Sequence, residues 1–117
     1  MVMNPVVSVR QNGDVAIVDM TGRFTLGDGC SDLRDAVRDL LESGRRQILL
    51  NLGEVSYIDS SGLGQMAGCY VTASRMGGQL KILNPQSKVT DMLQVTRLYS
   101  LFVTYSDEET AVASFHS

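Results

Sequence analysis

Residues 57–64 read Tyr57-Ile58-Asp59-Ser60-Ser61-Gly62-Leu63-Gly64. An Asp-Ser-Ser run directly before a helix sets short, oxygen-bearing side chains where the first backbone N–H groups of the helix lack partners. Two readings of that chemistry stand. The run is an N-cap and nothing more, or one of its serines accepts a phosphate. Free N–H groups and the positive end of the helix dipole stabilise added negative charge at such a point, so a serine there can be modified without unfolding the domain.

Other chemistries find less support. Gly62-Leu63-Gly64-Gln65-Met66-Ala67 fits the dinucleotide fingerprint GxGxx[G/A]. However, the apolar strand before it is read to end at Leu52, well short of Ser60, and Asn84 closes the next strand where an acid would hold a ribose. A nucleophilic serine needs a base, and the single histidine, His116, is next to the last residue. Cys30 and Cys69 form neither a CxxC pair nor a zinc spacing and read as reduced, structural thiols. Asp19 and Asp59 superficially fit a response-regulator receiver, but Met20-Thr21-Gly22 after Asp19 offers no acidic neighbour for magnesium. No metal, cofactor or catalytic activity is expected.

The elements that position this run follow from periodicity. Residues 6–11 and 15–20 carry β-branched side chains on alternate positions with Asn12-Gly13 between them, which predicts a hairpin. Leu33, Val37, Leu40 and Leu41 predict an amphipathic helix capped by Ser31 and stopped by Gly44. Residues 47–52 are apolar nearly throughout, as befits a central strand. A second helix runs from about Gly62 to Met76 with Leu63, Met66, Ala67 and Tyr70 inward, and Gly77-Gly78 ends it. Residues 80–83 form a strand, Ser87 caps a third helix bearing Val89, Met92 and Leu93, a strand lies around 102–105, and residues 107–115 close with a short helix. Alternating strands and helices predict an α/β sandwich with a mixed sheet of four to five strands and four to five helices.

The chain has 117 residues, enough for one core and therefore one domain over 1–117. Its net charge of −3 and its scattered Lys and Arg residues argue against nucleic acid as a partner. The N-terminal stretch has no basic segment ahead of a long apolar run, so neither export nor a membrane span is expected and the protein is placed in the cytoplasm.

Taken with these elements, the stretch 57–64 resembles the phosphorylation motif of the STAS domain family, and the resemblance extends over nearly the whole chain. It is similar to the family's anti-sigma factor antagonists. The resemblance implies that Ser60, after the motif's aspartate, is the acceptor. It implies a partner-binding face from Asp59, Ser60, Ser61, Gly62, Leu63 and Gly64, with Thr25 from the segment after the second strand. The partners implied are an anti-sigma factor that is itself a serine kinase, bound by the unphosphorylated form, and a serine phosphatase that resets the switch. Gly22-Arg23-Phe24-Thr25 departs from the Gly-x-[Leu/Ile]-Asp of many such antagonists, because Thr25 replaces the acid. A STAS scaffold without a working switch and a receiver domain are the alternatives.

Overall fold

The computed structural model describes residues 5–26 and 29–116; residues 1–4 and 117, the ends of the expected 1–117 unit, lie outside these. The elements are β1 (Val6–Asn12), β2 (Val15–Phe24), α1 (Cys30–Glu42), β3 (Gln47–Ile58), α2 (Ser60–Arg75), β4 (Gln79–Leu83), α3 (Ser87–Val95), β5 (Thr104–Tyr105) and α4 (Glu108–Ser114), with a 3₁₀ turn at Leu98–Ser100 before β5. The sheet order is β1-β2-β3-β4-β5, with β1 antiparallel to β2 and the remaining neighbours parallel. The mixed five-stranded sheet with four helices meets the expectation. A receiver would use an all-parallel sheet of order 2-1-3-4-5, so that alternative falls.

Strand order dictates where the helices go. Parallel strands laid down in sequence and joined by right-handed crossovers place every crossover helix on one face. Accordingly α1, α2 and α3 cover one face through Leu33, Val37, Leu41, Leu63, Met66, Val89 and Leu93, which meet Val18, Met20, Ile48, Leu50, Leu52 and Ile82 from the sheet. Among the described residues, α4 is the one helix on the other face, where Ala111 and Phe115 pack on Val15, Ile17, Leu49 and Leu83. No helix among the described residues is long and apolar enough to cross a membrane.

β2 and β3 are longer than the sequence pattern predicts, reaching Phe24 and Ile58 rather than Met20 and Leu52. The reason is two register shifts, between Asp19 and Thr21 and between Gly22 and Arg23. Each bulge inserts one residue into β3, so Leu52, Val55 and Ile58 recur every third position yet all reach the core. Two expected caps are also replaced. α1 starts from Gly29 in a left-handed conformation, and α3 starts at Ser87 itself with Gln86 before it; neither has a side-chain cap. Gly44 and Gly77 do take the positive φ that stops α1 and α2.

Charged groups fasten α4 to the hairpin. Arg10 donates to Asp19 at 2.7 Å and to Glu108 at 2.9 Å, Asn12 donates to Glu108 at 2.9 Å, and Asn51 donates to Asp19 at 2.8 Å. The Arg10 and Asn12 hydrogen bonds pull the Glu108 carboxyl down to about 2 from 4.5. A folded-state value below the unfolded one means the contribution is complete above about pH 4.5 and disappears as pH falls through about 2. The thermal midpoint difference between wild type and Glu108→Gln should therefore be positive at pH 6, shrink below pH 4.5 and close near pH 2. A difference independent of pH would show that the clasp is not electrostatic.

Candidate functional site

β3 and α2 meet with a single residue, Asp59, between them. Asp59 is the N-cap: its backbone is extended and its Oδ1 accepts from the Gly62 N–H at 2.9 Å. The cap reading thus belongs to Asp59, which leaves Ser60 as the first helical residue, exposed and with no side-chain hydrogen bond among the described residues. The expected seven-residue gap between strand and helix does not exist, so it no longer argues against a dinucleotide site. A better argument replaces it, since the Asp59 carboxylate already occupies the helix terminus that a pyrophosphate would need.

Asp59 also ties the site to the end of β2. Its N–H donates to the Phe24 carbonyl at 3.2 Å, and its Oδ2 accepts from the Leu26 N–H at 3.1 Å. Burial raises the carboxyl's pKa, but the N–H groups of Gly62, Leu26, Ser61 and Asp59 itself outweigh that and leave it below the ordinary aspartate range. It is therefore anionic at neutral pH. Thr25 is half-buried in this turn, bridged to Gly29, and its carbonyl accepts from the Cys30 thiol at 3.2 Å. Burial, then the Asp59 charge, push that thiol's pKa up, so Cys30 stays a protonated donor.

The sequence-predicted partner face divides. Asp59, Ser60, Ser61 and Gly64 reach the surface. Leu63 does not: it is 1% exposed and belongs to the core under α2. Gly62 is buried too, and a Cβ there would lie 2.5 Å from Ile58 Cγ1 and 2.6 Å from the Phe24 carbonyl oxygen. Gly62 therefore permits close helix-to-sheet packing, whereas a Cβ on Gly64 would meet nothing within 4 Å. Met66 is buried as expected, and Tyr70 packs edge-on to Phe102 at 5.7 Å between ring centroids.

Three neighbours stand outside the expected partner face. Leu26 is 81% exposed beside Asp59, and Arg23 lies over the Tyr57 ring at 4.8 Å on the sheet face opposite α2. Nothing in hydrophobic periodicity marks them, because bulges and a turn rather than a regular repeat bring residues 23–26 alongside 57–60.

Asp59→Ala should cost about 0.5–2 kcal/mol, the usual value of an N-cap. Asp59→Asn should keep the bond from Gly62, since Asn caps comparably, and lose only the one from Leu26, because the amide nitrogen that replaces Oδ2 donates, so its loss should be the smaller of the two. Urea midpoints of the two variants test this, and equal losses would deny the carboxylate a capping role.

Comparison with known proteins places these features. The profile of the STAS domain matches residues 6–111. The anti-sigma-B factor antagonist of Bacillus subtilis (strain 168) is 31% identical over 96 residues, spanning 82% of this chain and 86% of that protein. An anti-sigma factor antagonist from Mycobacterium paratuberculosis superposes with a TM-score of 0.86 at 17% identity, covering 97% of this chain and 96% of that one. The Bacillus cell fate determinant SpoIIAA in its phosphorylated form superposes with a TM-score of 0.71 at 18% identity, covering 93% of this chain and 99% of that one.

Proposed function

The chain belongs to the STAS domain family, and from that premise we propose that it is an anti-sigma factor antagonist switched by phosphorylation of Ser60. Unphosphorylated, it binds an anti-sigma factor that is also a serine kinase, and a sigma factor is released. The kinase phosphorylates Ser60 and ends the interaction; a serine phosphatase restores it. The protein is a substrate and a ligand rather than an enzyme, and it works in the cytoplasm.

The observation that carries the reading is the Ser60 hydroxyl at the first position of α2, exposed, without a hydrogen-bond partner among the described residues, and beside a separate cap. A serine engaged as N-cap would have to break its own hydrogen bond to accept phosphate. Here Asp59 does the capping, so Ser60 can be modified while the helix start stays closed. The relative at 31% identity, named an anti-sigma-B factor antagonist, supports the assignment of role.

The test is capture of partners from the protein's own cell extract by the unphosphorylated chain, with retained proteins identified by mass. An anti-sigma factor carrying a serine kinase domain is the expected catch, and with ATP it should place an acid-stable phosphate on Ser60. Retention of a large signalling assembly with no kinase that acts on Ser60 would overturn this reading in favour of a scaffold.

A further inference from the structure

Four asparagines stand in the chain, and one of them, Asn12, is followed by glycine. An asparagine loses its carboxamide when the backbone nitrogen of the next residue reaches Cγ, so the residue that follows decides how readily this happens. Asn4 and Asn84 precede Pro5 and Pro85, which carry no N–H. Asn51 precedes the buried, branched Leu52 inside β3. Gly13 has no side chain to obstruct the approach. It is exposed at the first position of the hairpin turn with φ +63°, and beyond its chain neighbours no atom lies within 4 Å of where a Cβ would sit. Its N–H donates to no group among the described residues.

The fold restrains the carboxamide. Asn12 Nδ2 donates to Glu108 Oε2 at 2.9 Å, reaching from the hairpin to α4, and the pairing of Asn12 with Val15 holds the main chain extended up to the turn. Attack requires the side chain to leave Glu108 and the strand end to bend, so the site reacts when the clasp between hairpin and helix opens. A hydrogen bond to a charged group is worth about 1.5–3 kcal/mol, which keeps the open form at roughly a tenth or less.

We propose that Asn12 is a site of self-modification, which the Glu108 clasp retards and which breaks that clasp once it has occurred. The Gly13 nitrogen gives its proton to water and bonds to Asn12 Cγ; the Cγ–Nδ2 bond breaks, and the amide nitrogen takes up a proton and leaves as ammonia. Water then opens the five-membered imide at either carbonyl carbon, its hydroxyl joining that carbon and its proton returning to the Gly13 nitrogen. Aspartate or isoaspartate remains at position 12. Either carboxylate is ionised at neutral pH, cannot donate to Glu108, and faces it across the former hydrogen bond. Arg10 is already shared by Asp19 and Glu108 and does not neutralise the newcomer. Isoaspartate also adds a methylene to the main chain at the Asn12–Val15 pair. α4 is loosened, and Val15, Ile17, Leu49 and Leu83 lose the cover of Ala111 and Phe115. No step restores the amide, so the change runs one way and gives the folded domain a chemical lifetime. This inference does not depend on the antagonist reading.

The full chain is incubated at mildly alkaline pH, folded and, as reference, unfolded in urea, and conversion is followed by ion exchange, mass and peptide mapping. Asn12 should convert first among the asparagines, about tenfold or more slowly in the folded protein than in urea. Glu108→Ala should shorten the folded lifetime severalfold, and Glu108→Gln less, because its amide oxygen still accepts from Asn12. Asp59→Ala weakens the domain at the other end of the sheet, beyond Ile58, and should leave the lifetime unchanged. Asn12→Asp, made directly, should speed hydrogen exchange of the backbone amides in α4 about tenfold and spare those of α3. Equal rates folded and in urea, earlier conversion at another asparagine, or acceleration by Asp59→Ala as great as by Glu108→Ala would overturn the protective role of the clasp. Unchanged exchange over α4 in Asn12→Asp would overturn its release.

Discussion

Gly62→Ala should destabilise the protein, and Gly64→Ala, two residues along the same helix, should stabilise it. Alanine improves on glycine within a helix by up to about 1 kcal/mol, and that gain is common to both. What separates them is space. A methyl at 62 would sit 2.6 Å from the Phe24 carbonyl oxygen and 2.5 Å from Ile58 Cγ1, while a methyl at 64 meets open solvent. The Phe24 carbonyl is backbone in β2 and already accepts from Asp59, so it cannot step aside as a flexible side-chain end would. Overpacking of this kind costs about 1–3 kcal/mol, and more when backbone has to shift, which exceeds the helical gain. For a domain of this size each kcal/mol moves the thermal midpoint by roughly 3–6 °C. The expected picture is a midpoint several degrees lower for Gly62→Ala and slightly higher for Gly64→Ala. A neutral or stabilising Gly62→Ala would mean that α2 does not approach β2 as closely as described.

That contrast also shows how far the sequence was readable. The order of strands and helices was legible because strand 6–11 and the helical stripes of Leu33, Val37 and Leu41 or of Leu63 and Met66 follow regular periods, and because residues 47–52 form a nearly continuous apolar run. The extensions of β2 and β3 were not, since two bulges turn a period of two into the threefold spacing of Leu52, Val55 and Ile58, which no strand template matches. The motif around Ser60 was legible as residue types, but its division of labour was not. Whether Asp59 or a serine caps α2 depends on where β3 stops, and whether Gly62 or Gly64 is indispensable depends on what lies across from each. Thr25 was singled out for the acid it replaces, yet the turn's tie to the site is the Leu26 N–H, a backbone group that side-chain pattern cannot reveal.

Phosphorylating Ser60 should weaken binding of the anti-sigma factor by about 10³-fold and leave the fold intact. Phosphate adds about −1.5 to −2 charges at pH 7. Within the domain two effects oppose each other. The N-terminus of α2 returns roughly 0.3–1 kcal/mol. The anionic Asp59 next door repels the phosphate, and at roughly 5 Å in a water-like dielectric this amounts to about 1–2 kcal/mol. The difference is about 1 kcal/mol or less, a few degrees in thermal midpoint. Where a bound partner brings a carboxylate against that charge, the dielectric is lower: at about 4 Å and an effective value near 20, each pair of unit charges is worth about 4 kcal/mol, or ~10³ in affinity. Binding is therefore lost without any need for a conformational change. Ser60→Asp carries one charge on a shorter arm and should fall between the two states, and Ser60→Ala should bind like the unmodified protein while refusing phosphate. Affinity for the purified kinase, phosphate mapping and thermal midpoints of the four forms provide the check. Phosphate appearing on Ser61 in Ser60→Ala would move the acceptor by one residue. Unchanged affinity of the phosphorylated wild type would remove the switch, and a midpoint lowered by ten degrees or more alongside lost binding would replace the electrostatic account with local unfolding of the α2 terminus.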